Sequence, residues 1–424
     1  MLRKAWIITI LANYIAVETA THNLGDDVCR TSVDCSMNGE CTVLRKKDTK
    51  QQVVVSGNCH CFSGWKGSRC EELDFLPVIS HTGLQLSNNT STWGGSVIYR
   101  QGMYHMFASE MVLQCGLEYW TTNSQVIRAT SKMPYGPYKK QQVILPTFAH
   151  EPNVVEAPSG EIVLFVTASP PPSRVITPID CRKSNGRSRS PQKLPQPRDT
   201  YMLWAFHPEG PWSEPVLVFN SSQWNADYWN KTHKLVWCDS NLNGIILNDS
   251  SFLGLWRRCE TANLLTIPHR LWASNWKDPS TYHPHLEPLF VLGGSGSEDP
   301  SNIWTTRTSD VGLAYHALWH DEQSTRCMLG QCSANGRHAF SLDGVSWRYA
   351  NTDAYNETIV FENGKTIRVD TRARPHVIID PTNNQLLALS TGVQLDQTSG
   401  YVWTLVQPLR RSSFSMGKKK KVST

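Results

Sequence analysis

The alternation of hydrophobic and polar residues predicts short β-strands through most of the chain. Apolar and β-branched residues occur in runs of three to six, bounded by Gly, Pro, Asn or Ser, and helical periodicity is scarce. Such runs have the length of strands and occupy positions 96–99, 103–107, 162–166, 201–206, 359–361 and 386–389. The pattern therefore predicts an all-β protein.

One phrase recurs at nearly constant spacing along the chain. Tyr135-Gly-Pro-Tyr138 and Glu209-Gly-Pro-Trp212 each precede a strand-like run, and Trp276-Lys-Asp-Pro279 is a degraded third copy. The three prolines stand 74 and then 68 residues apart. This period suits four-stranded propeller blades, so residues 76–410 are predicted to form a five-bladed β-propeller. The alternative is a two-domain sandwich, which would not explain the recurrence.

Six cysteines lie between positions 29 and 70, separated by five, five, seventeen, one and eight residues. So short and apolar-poor a segment cannot be held together by burial alone, so disulfides are predicted, and disulfides persist in an oxidising compartment. The spacing leaves fifteen pairings open. A zinc site is the alternative, but it would favour Cys-x2-Cys pairs, which this segment lacks.

With Gly64-Trp65-Lys-Gly67 before the last cysteine, residues 25–72 resemble the epidermal growth factor-like (EGF-like) module. The resemblance implies three disulfides and makes the interval 42–58 a hairpin loop. The implied pairs are Cys29 with Cys41, Cys35 with Cys59, and Cys61 with Cys70. The other six cysteines are even in number and their pairing stays open, with Cys327–Cys332 and Cys238–Cys259 as candidates.

The start of the chain predicts export. A positive Met1-Leu-Arg-Lys4 precedes an apolar stretch, Ala5–Val17, that is too short to span a bilayer, so residues 1–20 are predicted to be a cleaved signal peptide. An uncleaved anchor is the alternative. No later apolar stretch approaches bilayer length. We expect a secreted glycoprotein with sequons at Asn88, Asn89, Asn220, Asn230, Asn248 and Asn356.

Composition and charge limit the classes of partner. The 16 Trp indicate a large aromatic core, and the net charge of +5 is too mild to imply nucleic acid. Much of the basic excess falls in residues 170–200, predicted to be a long mobile insertion, and in the basic tail 411–424. The insertion could attract an anionic glycan, although an exposed basic loop is the simpler interpretation.

Four phrases in the last third carry a second resemblance: Ser297-Glu-Asp-Pro300, Ala314–His320, Gly336–Trp347 and Thr371–His376. Over residues 93–406 the chain resembles five-bladed propeller glycoside hydrolases of the arabinanase and β-xylosidase type, especially their poorly characterised eukaryotic relatives. The resemblance implies an oligo- or polysaccharide in the central channel and inverting hydrolysis by three acids: a base, a proton donor and a residue that tunes the pKa of the donor.

Four acids are the catalytic candidates. The resemblance implies Glu298 as proton donor beside Asp299, and Asp239 as tuning residue; turn residues are the alternative interpretation of all three. The base is expected in the first blade, where Ser91–Val97 contains no acid, and Glu151 is the substitute. The alternative function is therefore a catalytically inactive extracellular glycan-binding, adhesion or matrix protein.

Further side chains suit a sugar site whether or not it reacts. Arginine forks and histidine rings can hydrogen-bond hydroxyls, and a tryptophan can stack on a sugar ring. The predicted binding residues are Trp93, His150, Arg257, His316, His338, Arg372 and Arg374. No His-x3-His pair occurs on a predicted helix, so no metal or other cofactor is expected. Ser341–Trp347 is predicted to be a structural turn, and the EGF-like module is a candidate surface for protein partners.

Overall fold

The computed structural model describes residues 28–47, 52–79, 82–85, 90–168, 177–184, 199–220, 240–259, 266–289, 296–322, 335–396 and 400–411. The regular secondary structure of these residues is almost entirely β-strand, and the helices among them are short turns such as Trp120–Asn123. A small disulfide-bonded N-terminal region is followed by five larger sheets, which are the blades of a β-propeller. The predicted fold class is confirmed.

The N-terminal region consists of two small hairpins joined by cystines. Strand β1 (Gly39–Lys47) pairs with β2 (Gln52–Cys61), and β3 (Trp65–Lys66) pairs with β4 (Glu72–Leu73). The disulfides join Cys29 to Cys41, Cys35 to Cys59, and Cys61 to Cys70, which confirms the three predicted pairs.

The first four blades contain four or five strands each. Blade 1 comprises β5 (Leu84–Gln85), β6 (Thr92–Arg100), β7 (Met103–Met111), β8 (Ser124–Ser131) and β9 (Tyr138–Leu145). Blade 2 comprises β10 (Ala149–Glu156), β11 (Ile162–Ala168), β12 (Asp199–Ala205) and β13 (Val216–Phe219). Blade 3 comprises β14 (Asn243–Ile246), β15 (Phe252–Cys259), β16 (Thr266–Ala273) and β17 (Tyr282–Pro288). Blade 4 comprises β18 (Gly296–Glu298), β19 (Trp304–Thr308), β20 (Gly312–Glu322), β21 (Gly336–Ser341) and β22 (Trp347–Tyr355).

Blade 5 closes the propeller. A hairpin of β23 (Thr358–Val360) and β24 (Thr366–Arg368) precedes its three strands, β25 (Thr371–Ile379), β26 (Leu386–Gln394) and β27 (Val402–Pro408). Blades 5 and 1 are joined where Thr404 N donates to Thr92 Oγ1 at 2.9 Å. Closure places the first strand of blade 1 against the first strand of blade 5, so residues of these two strands come together at the channel.

The repeated phrase has the same structural position in three blades. Each copy lies in the connection that leads to the last strand of blade 1, 2 or 3. Gly136 and Gly210 have φ of +92° and +100°, a backbone conformation that glycine adopts without a steric penalty. The recurrence in sequence is therefore the recurrence of one turn from blade to blade.

Hydrophobic side chains pack between neighbouring blades. Phe165 of blade 2 and Phe252 of blade 3 have ring centroids 5.0 Å apart in a cluster that also buries Trp256 and Trp276 completely. Burying a large side chain of this kind contributes about 1.5–3 kcal/mol, so these interfaces hold the ring together. Most of the tryptophans described are core residues of this type.

The N-terminal region packs on blades 4 and 5 and shares their core. Trp65 stacks against Trp304 with centroids 6.4 Å apart, in a cluster that extends to Leu389 and Leu409. A fourth disulfide joins Cys115, in the connection between β7 and β8 of blade 1, to Cys181, which lies in the predicted insertion between β11 and β12 of blade 2. The candidate pairs Cys238–Cys259 and Cys327–Cys332 fall outside the side chains that the structure describes, as do most of residues 170–200 and the tail beyond position 411.

Candidate functional site

The first strand of each blade faces the central channel, and each is kinked at or beside one residue with positive φ. We name these five residues the channel ring: Gly94 (+65°), Glu151 (+56°), Asn241 (+44°), Asp299 (+52°) and Arg374 (+57°). Such φ values are uncommon for residues other than glycine, and they concentrate at functional sites. One backbone feature therefore places one residue per blade at the same level of the channel.

Proline explains the kink in three of the five blades. The ring residue is followed by proline and then by a polar residue in Glu151-Pro-Asn153, Asp299-Pro-Ser301 and Arg374-Pro-His376. Proline has no N–H for the ladder, so the strand bulges there, and the strand pairing shifts register between His150 and Asn153 and between Ala373 and His376.

The side chains of the channel ring contact one another. Arg374 Nη1 lies 3.0 Å from Glu151 Oε2 and 3.0 Å from Asp299 Oδ1, so these two oxygens are at most twice that distance apart. Asn241 Nδ2 also donates to Asp299 Oδ1. All four residues are 9% exposed or less. The ring is thus a buried network in which one guanidinium neutralises part of the charge of two carboxylates.

Gly94 lies directly beneath the Arg374 side chain. A Cβ atom at position 94 would lie 3.3 Å from Arg374 Cβ and 3.9 Å from its Nε. Arg374 belongs to blade 5 and Glu151 to blade 2, so the guanidinium reaches Glu151 across the position that a side chain of blade 1 would fill. The Arg374 side chain therefore lies over Gly94 in the segment Ser91–Val97, where the resemblance led us to expect a base and where the sequence has no acid.

Glu151 is held from both sides. Its backbone N–H donates to Ser109 Oγ at 2.9 Å, and its Oε1 lies 3.6 Å from His150 Nε2. The other nitrogen of His150, Nδ1, lies 2.7 Å from Ser124 Oγ, and Trp120 covers the ring at a centroid distance of 4.8 Å. The fixed His150 ring thus lies next to the Glu151 carboxylate, within ion-pair distance of it.

A second polar layer, next to the ring, links the blades. Ser96 Oγ lies 3.2 Å from His376 Nδ1 and accepts a bond from Val154 N, while Asn243 Nδ2 donates to Asn153 Oδ1 at 3.1 Å. Burial lowers the pKa of His376 to about 4, so this imidazole is neutral at physiological pH. Beyond this layer the channel widens into a cavity of about 390 Å³ whose lining includes Tyr99 and Asp380.

Three predicted binding residues lie away from the channel. His316 and His338 are fully buried on blade 4 beneath the N-terminal region, with His316 Nδ1 2.9 Å from His338 Nε2 and Trp65 4.9 Å from the His338 ring. Arg372 is buried between the rings of Phe75 and Tyr355. His316 and His338 lie on the second and third strands of blade 4, behind its channel-facing first strand, and Arg372 lies beside the bulge that turns Arg374 into the channel. Neither the order of strands within a blade nor the bulge was predicted from the sequence.

The remaining predicted residues divide between the channel and undescribed positions. Trp93 lines the channel beside Gly94, and Arg257 lies on β15 with its N–H bonded to Ser240 O. Glu298 ends β18, its backbone opposite His320, but its side chain is outside the described part of the chain, as is all of Asp239. Among the sequons, Asn248 and Asn356 are exposed and Asn220 is half-buried; Asn88, Asn89 and Asn230 are outside the described residues.

Sequence reasoning brought Glu151, Asp299 and Arg374 forward separately and missed Asn241 and His376. A partial pattern was present: a charged residue, proline and a polar residue follow one another at the ring positions of blades 2, 4 and 5, although the same tripeptide also occurs at Asp278–Ser280 and Asp380–Thr382, outside the ring. Asn241 has no proline after it, so the pattern does not reach it.

Comparison with known proteins supports the fold. No protein-family model matches the chain, and no curated protein matches it. Among solved structures, one similar to this chain is the α-L-arabinofuranosidase PaAbf62A from Podospora anserina in complex with cellotriose, with a TM-score of 0.51 and 11% sequence identity. The match covers 80% of this chain and 97% of the PaAbf62A chain. A structure named "Glycoside hydrolase" has a TM-score of 0.50 at 10% identity, and the match covers 82% of this chain and 95% of the chain in that structure. The chain therefore has the propeller fold of these proteins.

Proposed function

We propose that this chain is an extracellular glycan-binding protein that holds a sugar at the channel ring. The observation that carries the proposal is the position of Arg374, which crosses Gly94 and pairs with both Glu151 and Asp299. The ring is polar, its side chains bond one another, and it is set in a channel, which are the properties of a site that orients hydroxyl groups. Its acids are arranged for hydrogen bonding rather than for inverting hydrolysis.

Inverting hydrolysis makes two demands that this pair of acids does not meet. One carboxyl must be protonated and the other free to activate water, at a separation of roughly 6.5–9.5 Å. Here the nearest oxygens of Glu151 and Asp299 are each 3.0 Å from one Arg374 nitrogen. Both carboxylates are thus held by the same guanidinium, and Gly94, the ring position of the first blade, carries no side chain that could be a base.

The binding test uses the full-length secreted protein on an array of defined glycans. We expect a ligand whose affinity falls at least tenfold in the double variant Glu151→Gln, Asp299→Asn. The matched control is Glu362→Gln, an exposed carboxylate in the turn between β23 and β24. If the array yields no ligand, or if the ring variant and the control bind equally, the proposal is wrong.

Hydrolysis of a glycosidic bond is the second candidate function, and Glu298 favours it. This acid ends the first strand of blade 4, directly before ring residue Asp299, and Glu151 on blade 2 would serve as base. The test is turnover of a panel of aryl glycosides by the unaltered chain and by Glu298→Gln. Turnover that disappears in Glu298→Gln would replace the binding proposal with an enzymatic one.

The extracellular location rests on the N-terminal features. We propose that residues 1–20 are a signal peptide, that 25–72 form an EGF-like module and that 76–410 form the propeller domain; four disulfides support an oxidising compartment. Mass spectrometry of the protein recovered from a secreting eukaryotic cell should find the mature N-terminus near position 21 and glycans on Asn248 and Asn356. Recovery of an unprocessed, intracellular chain would contradict this.

A further inference from the structure

We infer that the channel ring selects sugars that present hydrogen-bond donors, namely hydroxyl or ammonium groups, and excludes sugars that present carboxylate or sulfate groups to it. This inference rests on the proposed function and specifies its ligand class. It follows from the charges and the hydrogen-bonding capacity of the ring side chains, taken in turn below.

The charge of the described ring side chains is acidic. Glu151 and Asp299 contribute two carboxylates, and Arg374 contributes one guanidinium that is already paired with both. In a buried site these charges are weakly screened, so an anionic sugar would be repelled more strongly than it would be at the surface.

The hydrogen-bonding capacity of the ring points the same way. Asn241 gives its amide N–H to Asp299, and its buried Oδ1 has no hydrogen-bond partner among the described residues. Asn241 is 2% exposed. A buried acceptor without a donor is unfavourable, so a ligand that supplies an O–H or N–H there gains more than one that supplies a second acceptor.

Sugar substituents differ in this property. A hydroxyl both donates and accepts, a protonated amine only donates, and a carboxylate or sulfate only accepts. Faced with Asn241 Oδ1 and two carboxylates, the expected order of affinity is amino sugar, then neutral sugar, then uronic acid. The basic insertion would predict the reverse order, so the two parts of the molecule make opposing demands that an experiment can separate.

The experiment measures binding of matched triplets: hexose, 2-amino-2-deoxyhexose and hexuronic acid oligosaccharides of the same length and linkage, in gluco, galacto and manno series. The full-length protein is titrated with each by calorimetry at low and at moderate ionic strength. We expect the neutral and amino members of at least one series to bind about ten times more tightly than the uronic acid, with a difference that changes little between the two ionic strengths, because salt screens buried charges only weakly.

Asp299→Asn provides the decisive comparison, because it removes one charge while asparagine tolerates the positive φ at this position. The preference against uronic acid should fall several-fold in Asp299→Asn and stay unchanged in Glu362→Gln. Glu151→Gln serves in its place if Asp299→Asn does not fold. Equal or tighter binding of uronic acids, or a preference that Asp299→Asn leaves intact, overturns the inference while the proposed function stands. If none of the oligosaccharides binds, both the inference and the proposed function are wrong.

Discussion

The glycine at position 94 and the path of the Arg374 side chain depend on each other. A side chain on Gly94 would meet Arg374 Cβ at 3.3 Å, and Arg374 uses that space to reach Glu151. Ser91–Val97 of the first blade contains no acid, and its ring position is a glycine that leaves room for a cation from blade 5. This cation contacts both ring carboxylates and lies at the centre of the network.

Replacing Arg374 with methionine should strongly destabilise the fold. The change leaves the carboxylates of Glu151 and Asp299 buried without their shared cation, which in comparable sites costs about 3–5 kcal/mol. Urea denaturation at pH 7 gives the measurement. Adding Glu151→Gln and Asp299→Asn to Arg374→Met should recover much of the loss, since the uncompensated charges are gone.

The control for this prediction is Arg368→Met, which removes an exposed arginine from its pair with Glu357. A surface pair of this kind contributes at most about 1 kcal/mol. If Arg374→Met costs no more than Arg368→Met, the ring network does not stabilise the fold, and the assignment of Arg374 as its centre is wrong.

The buried histidine pair predicts how stability depends on pH. Burial lowers the pKa of His316, which the neighbouring His338 lowers further, and burial lowers the pKa of His338 to about 3. Unfolded histidines titrate near pH 6.5, so below that pH the unfolded chain binds more protons than the folded one. The stabilising effect is complete above about pH 6.5 and is lost as the pH falls towards 3, by up to about 1.4 kcal/mol per pH unit for each histidine.

His338→Gln should reduce this acid sensitivity. The unfolding free energy of the unaltered chain is compared with that of His338→Gln at pH 7 and at pH 5, in urea, with disulfides intact. The difference between the two pH values should be smaller for His338→Gln, although His376 and His269, whose pKa burial lowers to about 4, continue to contribute. The exposed His207→Gln should match the unaltered chain; an equal pH dependence in all three proteins would refute the explanation.

At the scale of single elements, the turn between β21 and β22 behaves as the sequence predicted. Asp343 Oδ1 accepts bonds from the backbone N–H groups of Val345 and Ser346 at 2.8 and 2.7 Å, and Trp347 packs between blades 3 and 4. Although burial raises the pKa of Asp343, the bonds from Ser346 and Val345 outweigh it and lower the pKa overall. The residue is a folding device and not part of the site.

Asp343→Ala should therefore destabilise the protein by about 1–2 kcal/mol, because two backbone donors lose their partner. Thermal unfolding at pH 7 measures the loss. Because the folded pKa is depressed, the contribution of Asp343 is present above the unfolded value near 4 and disappears as the pH falls below it, so the variant and the unaltered chain should converge in acid. Asp343→Asn, which keeps an acceptor, should lose less; an equal loss would show that the bonds are not the cause.

These elements show why the fold was predictable and the site only partly so. Runs such as 162–166 and the recurring turn around Pro137 and Pro211 are local patterns, and local patterns are visible in a sequence. The resemblance of residues 25–72 to the EGF-like module likewise implied three disulfides that the structure contains. The contact between Arg374 and Glu151 joins residues of blades 5 and 2, and no local pattern indicates which charged residues meet across a channel.

The same limit explains the residues that sequence reasoning placed at the sugar. His316 and His338 lie on strands of blade 4, as expected, but their side chains face the N-terminal region instead of the channel. The missing information was the docking of Trp65 and Asn38 onto this blade. A buried histidine without a known neighbour can be assigned to a site or to a core, and here the neighbour belongs to another region of the chain.

At the scale of the whole molecule, the N-terminal region and the propeller form one core. Trp65 contacts Trp304 and His338, Asn38 Nδ2 donates to Cys70 O and lies 3.3 Å from His338 Nδ1, and Thr306 Oγ1 donates to Met37 O. Side chains from both regions thus complete each other's burial. A module tethered by a free linker would not bury two histidines of its neighbour.

We therefore expect the two regions to unfold in one cooperative transition, with Trp65→Ala lowering the stability of the propeller itself by about 3–5 kcal/mol. Scanning calorimetry of the oxidised protein, with hydrogen exchange of blade 4 amides, gives the measurement: exchange of β20 and β21 should accelerate in Trp65→Ala. The comparison is Phe206→Ala, a large side chain that is 63% exposed on blade 2 and should change neither observable. Two separate transitions, or blade 4 exchange unaffected by Trp65→Ala, would mean that the N-terminal region only rests on the propeller, and the acid sensitivity assigned to the histidine pair would then need another source.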